Sequence, residues 1–210
     1  MPSRPPERRV LTIPNLISLA RLLCVPVFLW LVWGEDRPFA AAVLLAVLGA
    51  TDWVDGYIAR HFNQGSELGK VLDPTADRVL LLAGAVALLG EPIPTLVAIL
   101  VWIVLIREAL IAIATVTLGL LGARRIDVVW AGKAGTLALM FALPSFLAAA
   151  NVDGAAKLLF NVMGWGFAIA GVALGYFAAA TYVPAARAAL REGRSNTGSG
   201  PRPETKAVTP

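Results

Sequence analysis

Six long apolar stretches run along this chain, near residues 14–33, 38–62, 69–90, 94–121, 128–150 and 155–186, and short turn-rich breaks separate them. About 20 apolar residues at 1.5 Å each span the hydrocarbon of a bilayer, so each stretch is long enough to cross as a helix. The pattern predicts an all-α, polytopic membrane protein with six transmembrane helices. The first break is Gly34-Glu35-Asp36-Arg37-Pro38, the third Gly90-Glu91-Pro92-Ile93-Pro94 and the fifth Asn151-Val152-Asp153-Gly154. These odd breaks carry little positive charge. The alternate set is basic: Arg4, Arg8 and Arg9 at the N-terminus, the 60–70 region, Arg124-Arg125, and Arg187, Arg191 and Arg194. Of eighteen Lys and Arg, only Arg37 and Lys157 fall on the side of the odd breaks. The positive-inside rule therefore predicts cytoplasmic N- and C-termini and a multi-pass protein of the cell membrane.

Composition agrees with lipid as the main solvent: 58% of residues are hydrophobic and 15% charged, with a mean hydropathy of +0.72. A soluble domain cannot hide that much apolar surface. Disorder, a disulfide scaffold and a coiled coil are excluded for the bulk of the chain. The single Cys24 lies in an apolar run and can make neither an internal bridge nor a zinc site. The first stretch is long, contains Trp and lacks a small-residue cleavage site after it, so it is expected to stay as a spanning helix. Residues 1–190 read as one membrane domain. Residues 191–210, rich in Gly, Ser, Pro, Thr and charge, read as a disordered cytoplasmic tail. The net charge of +4 calls for no nucleic acid, because cytoplasmic Lys and Arg beside anionic head groups account for it.

Four acids break the apolar pattern. Asp52, Asp55, Asp73 and Asp77 sit in the second and third stretches, where each would cost ~2.5–3.5 kcal/mol at mid-membrane without compensation. Counting from Pro38, Asp52 lies about 21 Å and Arg60 about 33 Å along the second helix, toward its cytoplasmic end. Asp52 and Asp55 share one face with the small residues Gly56 and Ala59; Asp73 and Asp77 are an i, i+4 pair with Gly69 one turn earlier. The short loop 61–68 makes the two helices antiparallel neighbours, so the faces are expected to meet. Four carboxylates in a small-residue groove suit a hard divalent cation, Mg²⁺ or Mn²⁺, and a phosphate-bearing ligand, with Arg60 available as a bidentate phosphate contact. The plainer reading pairs the acids with Arg21, Arg60, Arg78 or Arg107 to hold helices together. The acids share two adjacent helices and lie among glycines, which favours a site.

The string Asp52-x2-Asp55-Gly56-x2-Ala59-Arg60-x8-Gly69-x3-Asp73-x3-Asp77 resembles the full signature of the CDP-alcohol phosphatidyltransferases. The segment Thr12-Ile13-Pro14-Asn15-Leu16-Ile17-Ser18 with Arg21 is similar to bacterial members that make phosphatidylglycerophosphate or cardiolipin. The resemblance implies six transmembrane helices, a homodimer, CDP-diacylglycerol as phosphatidyl donor and two Mg²⁺ or Mn²⁺ ions. It implies that Asp52, Asp55, Asp73 and Asp77 ligate the metals and that Asp77 is also the catalytic general base. Asn15, Ser18, Gly56, Ala59, Arg60, Ser66 and Gly69 would bind the CDP-lipid. The active site would open toward the cytoplasm, and the acceptor hydroxyl would attack the lipid-side phosphorus and expel CMP.

The signature does not name the acceptor. Arg107 in the fourth stretch and Lys133 in the fifth are the candidate acceptor-binding residues. Members that use glycerol 3-phosphate often show Gly-Lys-x-Lys-Thr where this chain has Gly132-Lys133-Ala134-Gly135-Thr136, so one phosphate-binding cation is missing. That favours phosphatidylglycerol, giving cardiolipin, over glycerol 3-phosphate, giving phosphatidylglycerophosphate. Among other classes, a cation or proton transporter also carries intramembrane carboxylates. Acids gathered at one side with glycines and an arginine argue against it. Longer intramembrane prenyltransferases differ in acidic spacing, and a non-catalytic scaffold predicts that Asp77 is dispensable.

Overall fold

The computed structural model describes residues 12–61, 69–120 and 130–198, and among them the secondary structure is entirely helical. Six helices appear: α1 (Ile13–Trp33), α2 (Pro38–His61), α3 (Gly69–Leu89), α4 (Thr95–Leu120), α5 (Trp130–Ala150) and α6 (Gly154–Gly198). Their bounds follow the six apolar stretches closely, because turn chemistry marks the ends. Thr12 caps α1 by accepting from the Asn15 amide, with Pro14 in the first turn. Gly154 opens α6 at φ +64°, a conformation that glycine adopts without Cβ strain. α6 continues to Gly198, into the stretch whose composition suggested a tail. The Ala, Arg, Leu and Glu of 185–192 are strong helix formers, which suits continuation of the helix. Residues 199–210 lie outside the described part.

Among the described residues, four helices are long and apolar enough to cross a membrane by length and composition: Asn15–Trp33, Thr95–Ala114, Trp130–Ala150 and Gly154–Thr181. In α2 the described apolar run is Pro38–Thr51. α3 carries Lys70, Asp73, Asp77 and Arg78 in its first half. In α3 these charges interrupt the apolar pattern.

The α1–α2, α3–α4 and α5–α6 connections meet at one end of the bundle. Asn151 donates to Glu91 Oε2 at 3.2 Å, and Gly90 lies beside the Trp33 indole nitrogen. The core runs inward from there, built on Phe28, Leu80, Leu88, Val97, Val101, Leu139 and Leu147, all buried. Large apolar side chains such as Leu23, Leu96, Trp102, Ile113 and Leu158 face outward, as lipid-facing surfaces require. α1 packs along both α2 and α3, and α5 along α2 and α6. α2 and α3 do touch, as their short loop demands, with Leu45 against Gly84. Their more extensive partner, however, is α1.

Candidate active site

The inward stripe of α1 is Ser18, Arg21, Val25, Phe28 and Val32, spaced three and four residues apart, and all five are buried. The upper three are apolar core. The lower two are polar, and they meet α3 where its first half is acidic. Ser18 Oγ donates to Asp73 Oδ1, and Arg21 Nη1 donates to Asp77 Oδ1 at 2.5 Å. Arg21 is 1% exposed, whereas the Asp77 side chain keeps 21% of its surface. An arginine so fully desolvated is tenable only with an anionic partner, and Asp77 supplies it.

Asp73 and Asp77 thus lie one turn apart on α3, both partly buried, each held through one oxygen by a side chain of α1. They fit a hard divalent cation: both are anionic oxygen donors on a single helix face, and both are already oriented. Gly69, one turn before Asp73, is buried. Asp52, Asp55, Gly56, Ala59 and Arg60 lie on the last turns of α2, with side chains outside the described residues, and Ser66 lies outside them altogether. Among the described residues no group of three or more His, Cys, Asp and Glu comes together. The described half of the expected quartet is the α3 pair.

Asn15 is buried at the start of the same α1 face. Arg107 and Glu108 lie further away, on α4. Glu108 continues the buried stripe Val97, Val101 and Val104, and it accepts from Arg107 Nη1. The Arg107 guanidinium lies flat on α6: a Cβ at Gly175 would stand 2.8 Å from Nε and 2.9 Å from Nη2. Arg107 Nε is buried and has no hydrogen-bond partner among the described residues. Lys133 is exposed on α5. Gly135, two residues on, turns the other way, and a Cβ there would meet Gly171 O of α6 at 3.0 Å and Gly175 N at 3.1 Å. A side chain at 135 would therefore press on the α6 backbone, which would have to give by a few tenths of an ångström.

Sequence reasoning placed Ser18 against the CDP-lipid and left Arg21 as one of several possible structural partners. It named Glu108 with Arg107 only as a polar interruption of the fourth stretch that could face the cavity, and it did not single out Gly175. The signals were present: Ser18 and Arg21 extend an apolar stripe at three- and four-residue spacing, and Gly171 and Gly175 form a small-xxx-small pair.

Comparison with known proteins agrees with this arrangement. The family model for CDP-alcohol phosphatidyltransferase matches residues 11–180, from the start of α1 through most of α6. A cardiolipin synthase (CMP-forming) of Streptomyces coelicolor is 40% identical over 191 residues, covering 87% of this chain and 86% of the relative. A CDP-diacylglycerol–glycerol-3-phosphate 3-phosphatidyltransferase of Escherichia coli is 36% identical over 155 residues, covering 67% of this chain and 79% of the relative. The matched span contains Asp52, Asp55, Asp73 and Asp77 with Arg21, Arg60 and Arg107, and the chain belongs to the CDP-alcohol phosphatidyltransferase family.

Proposed function

We propose that this protein transfers the phosphatidyl group of CDP-diacylglycerol to phosphatidylglycerol, releasing CMP and forming cardiolipin in a step that requires Mg²⁺ or Mn²⁺. The observation that carries the chemistry is the pair of α3 carboxylates, steadied by Ser18 and Arg21 on a helix face that begins with buried Gly69. Asp52, Asp55, Asp73 and Asp77 would hold two divalent ions, which, when bound, offset the charge of the donor's pyrophosphate and make its phosphorus more electrophilic. Asp77 takes the proton of the acceptor hydroxyl. The acceptor oxygen then forms its bond to the lipid-side phosphorus as the bond to the CMP oxygen breaks, so no covalent enzyme intermediate arises. Gly56, Ala59 and Gly69 keep the groove open for the CDP moiety, and Arg60, Ser66 and the Asn15–Ser18 segment contact it. Arg107, with Lys133, serves the acceptor's phosphate.

The choice of acceptor draws on two supports. A relative matching 87% of the chain is named a cardiolipin synthase, and position 135, where the second phosphate-binding cation is missing, is a glycine packed tightly on the α6 backbone. A phosphodiester needs less positive charge than a phosphomonoester. In this reading the six helices all cross the cell membrane with both termini cytoplasmic, the site opens to the cytoplasm, and the protein is a homodimer. The shared end of the α1–α2, α3–α4 and α5–α6 connections supports that threading.

The test is an acceptor screen with purified protein in detergent, labelled CDP-diacylglycerol and Mn²⁺ or Mg²⁺. CMP and cardiolipin should appear with phosphatidylglycerol and stop on chelation by EDTA. A product that requires glycerol 3-phosphate and ignores phosphatidylglycerol would refute the acceptor. Absence of CMP with either would refute the reaction and reopen transport.

A further inference from the structure

We infer that Ser18 and Arg21 are positioning residues for the α3 carboxylates, with Ser18 setting the metal affinity of Asp73 and Arg21 the aim of Asp77. This rests on the reading of Asp73 and Asp77 as metal ligands and of Asp77 as the base. The terminal torsion of an aspartate is broad and two-fold, so an isolated carboxylate swings. A donor on one oxygen fixes the plane of the group, and outer partners of this kind typically change metal affinity ~10–100-fold when removed. Here each α3 acid has its own donor on α1, and both bonds go to Oδ1.

The register explains the choice of residue types. Ser18 and Arg21 are three residues apart, Asp73 and Asp77 four, so at ~1.5 Å per residue the acids are spread about 1.5 Å further along their helix than their partners. A short hydroxyl suits the near contact and a long guanidinium covers the longer reach. Helix association alone does not require this pattern. Val25, Phe28 and Val32 already bury the upper stripe, and one guanidinium would neutralise one acid without any hydroxyl at 18. Ser18 is fully buried and neutral, so its bond to Asp73 orients that carboxylate and leaves its charge in place.

The experiment measures Mn²⁺ binding directly, by the loss of the free-ion electron paramagnetic resonance signal, on full-length protein in detergent without lipid substrate. Wild type, Ser18→Ala, Ser18→Thr and Arg21→Lys are compared, and thermal unfolding checks that each is folded. Ser18→Ala should weaken Mn²⁺ binding about tenfold, and Ser18→Thr, which keeps the hydroxyl, should restore it. Arg21→Lys keeps the charge but loses the rigid fork. It should lower kcat at saturating Mn²⁺ without moving the donor KM. Should Ser18→Ala fail to fold, Ser18→Cys, of similar size and a weak donor, reads out the same loss. Unchanged Mn²⁺ affinity with a raised donor KM would overturn the inference and return Ser18 to the nucleotide. A wild-type protein that binds no Mn²⁺ would instead overturn the metal reading, and this inference with it.

Discussion

Two glycines at one helix crossing should respond to the same substitution in opposite ways. At Gly135 the atoms in the path of a Cβ are α6 backbone, Gly171 O at 3.0 Å and Gly175 N at 3.1 Å. They can yield only if α5 and α6 separate. At Gly175 the atoms in the path are Nε, Nη2 and Cζ of Arg107, at 2.8–3.0 Å, and the end of a long side chain can swing aside. Overpacking of a tight contact costs about 1–3 kcal/mol, while Gly to Ala in a helix returns about 1 kcal/mol of intrinsic propensity. Gly135→Ala should therefore destabilise the protein by up to about 2 kcal/mol net, and Gly175→Ala should leave stability near or slightly above wild type. Function should split the other way. If Arg107 holds the acceptor's phosphate, displacing it forfeits a charge-assisted bond worth about 1.5–3 kcal/mol. That is roughly a 10- to 100-fold rise in the KM for phosphatidylglycerol. The KM for CDP-diacylglycerol should not move. Unfolding by SDS in mixed micelles and steady-state CMP release with each substrate varied in turn supply the two measurements. Equal stabilities for the two variants would refute the packing argument, and a Gly175→Ala enzyme with a normal acceptor KM would remove Arg107 from the acceptor site.

Asp77→Asn keeps the size of the side chain and a hydrogen-bond acceptor for Arg21 but cannot take a proton. CMP release should fall by roughly 10²–10⁴-fold or more while the protein still purifies as a folded species. Arg21→Ala leaves a cavity and a carboxylate stripped of its cation, and it should lower stability by about 3–5 kcal/mol in the same SDS titration. At Gly154 the φ of +64° is the only obstacle, since no atom lies within 4 Å of the position a methyl group would take. Gly154→Ala should cost about 1–2 kcal/mol of backbone strain and leave CMP release unchanged.

The elements themselves were legible because lipid-solvated helices are long and apolar and because Gly, Pro and Asn punctuate their ends. The α1–α2 break and the start of α6 fall within a residue or two of the expected positions. α6 beyond 191 was not legible from hydropathy, because the residues there are polar and small in composition while the helix runs on to Gly198. The partners of the acids were harder to read. Spacing along α3 fixes which face Asp73 and Asp77 share, but it does not say which helix covers that face. The loop between α2 and α3 pointed to α2, and the described contacts come from α1. Gly135 shows a second limit. In a sequence a glycine reads as a missing side chain; at a crossing where Gly171 O stands 3.0 Å from the Cβ position, it is the residue that lets two backbones meet.

The plain alternative to a catalytic site was that the acids merely tie helices together, and the structure divides that alternative between the two α3 residues. Asp77 does have a cation, and Arg21 needs it as much as it needs Arg21. Asp73 accepts from Ser18, and among the described residues no Lys, Arg or His stands within ion-pair distance of it. A hydroxyl orients a carboxylate but does not neutralise it. A half-buried anion in an apolar helix bundle, held in one orientation and one turn from a second anion, is an expensive arrangement if its purpose is cohesion, since alanine at 73 would pack without the cost. Orientation without neutralisation is what a ligand for an external cation requires. Asp73, more than the better-paired Asp77, is thus the residue whose geometry favours a metal-dependent transferase over a structural tie.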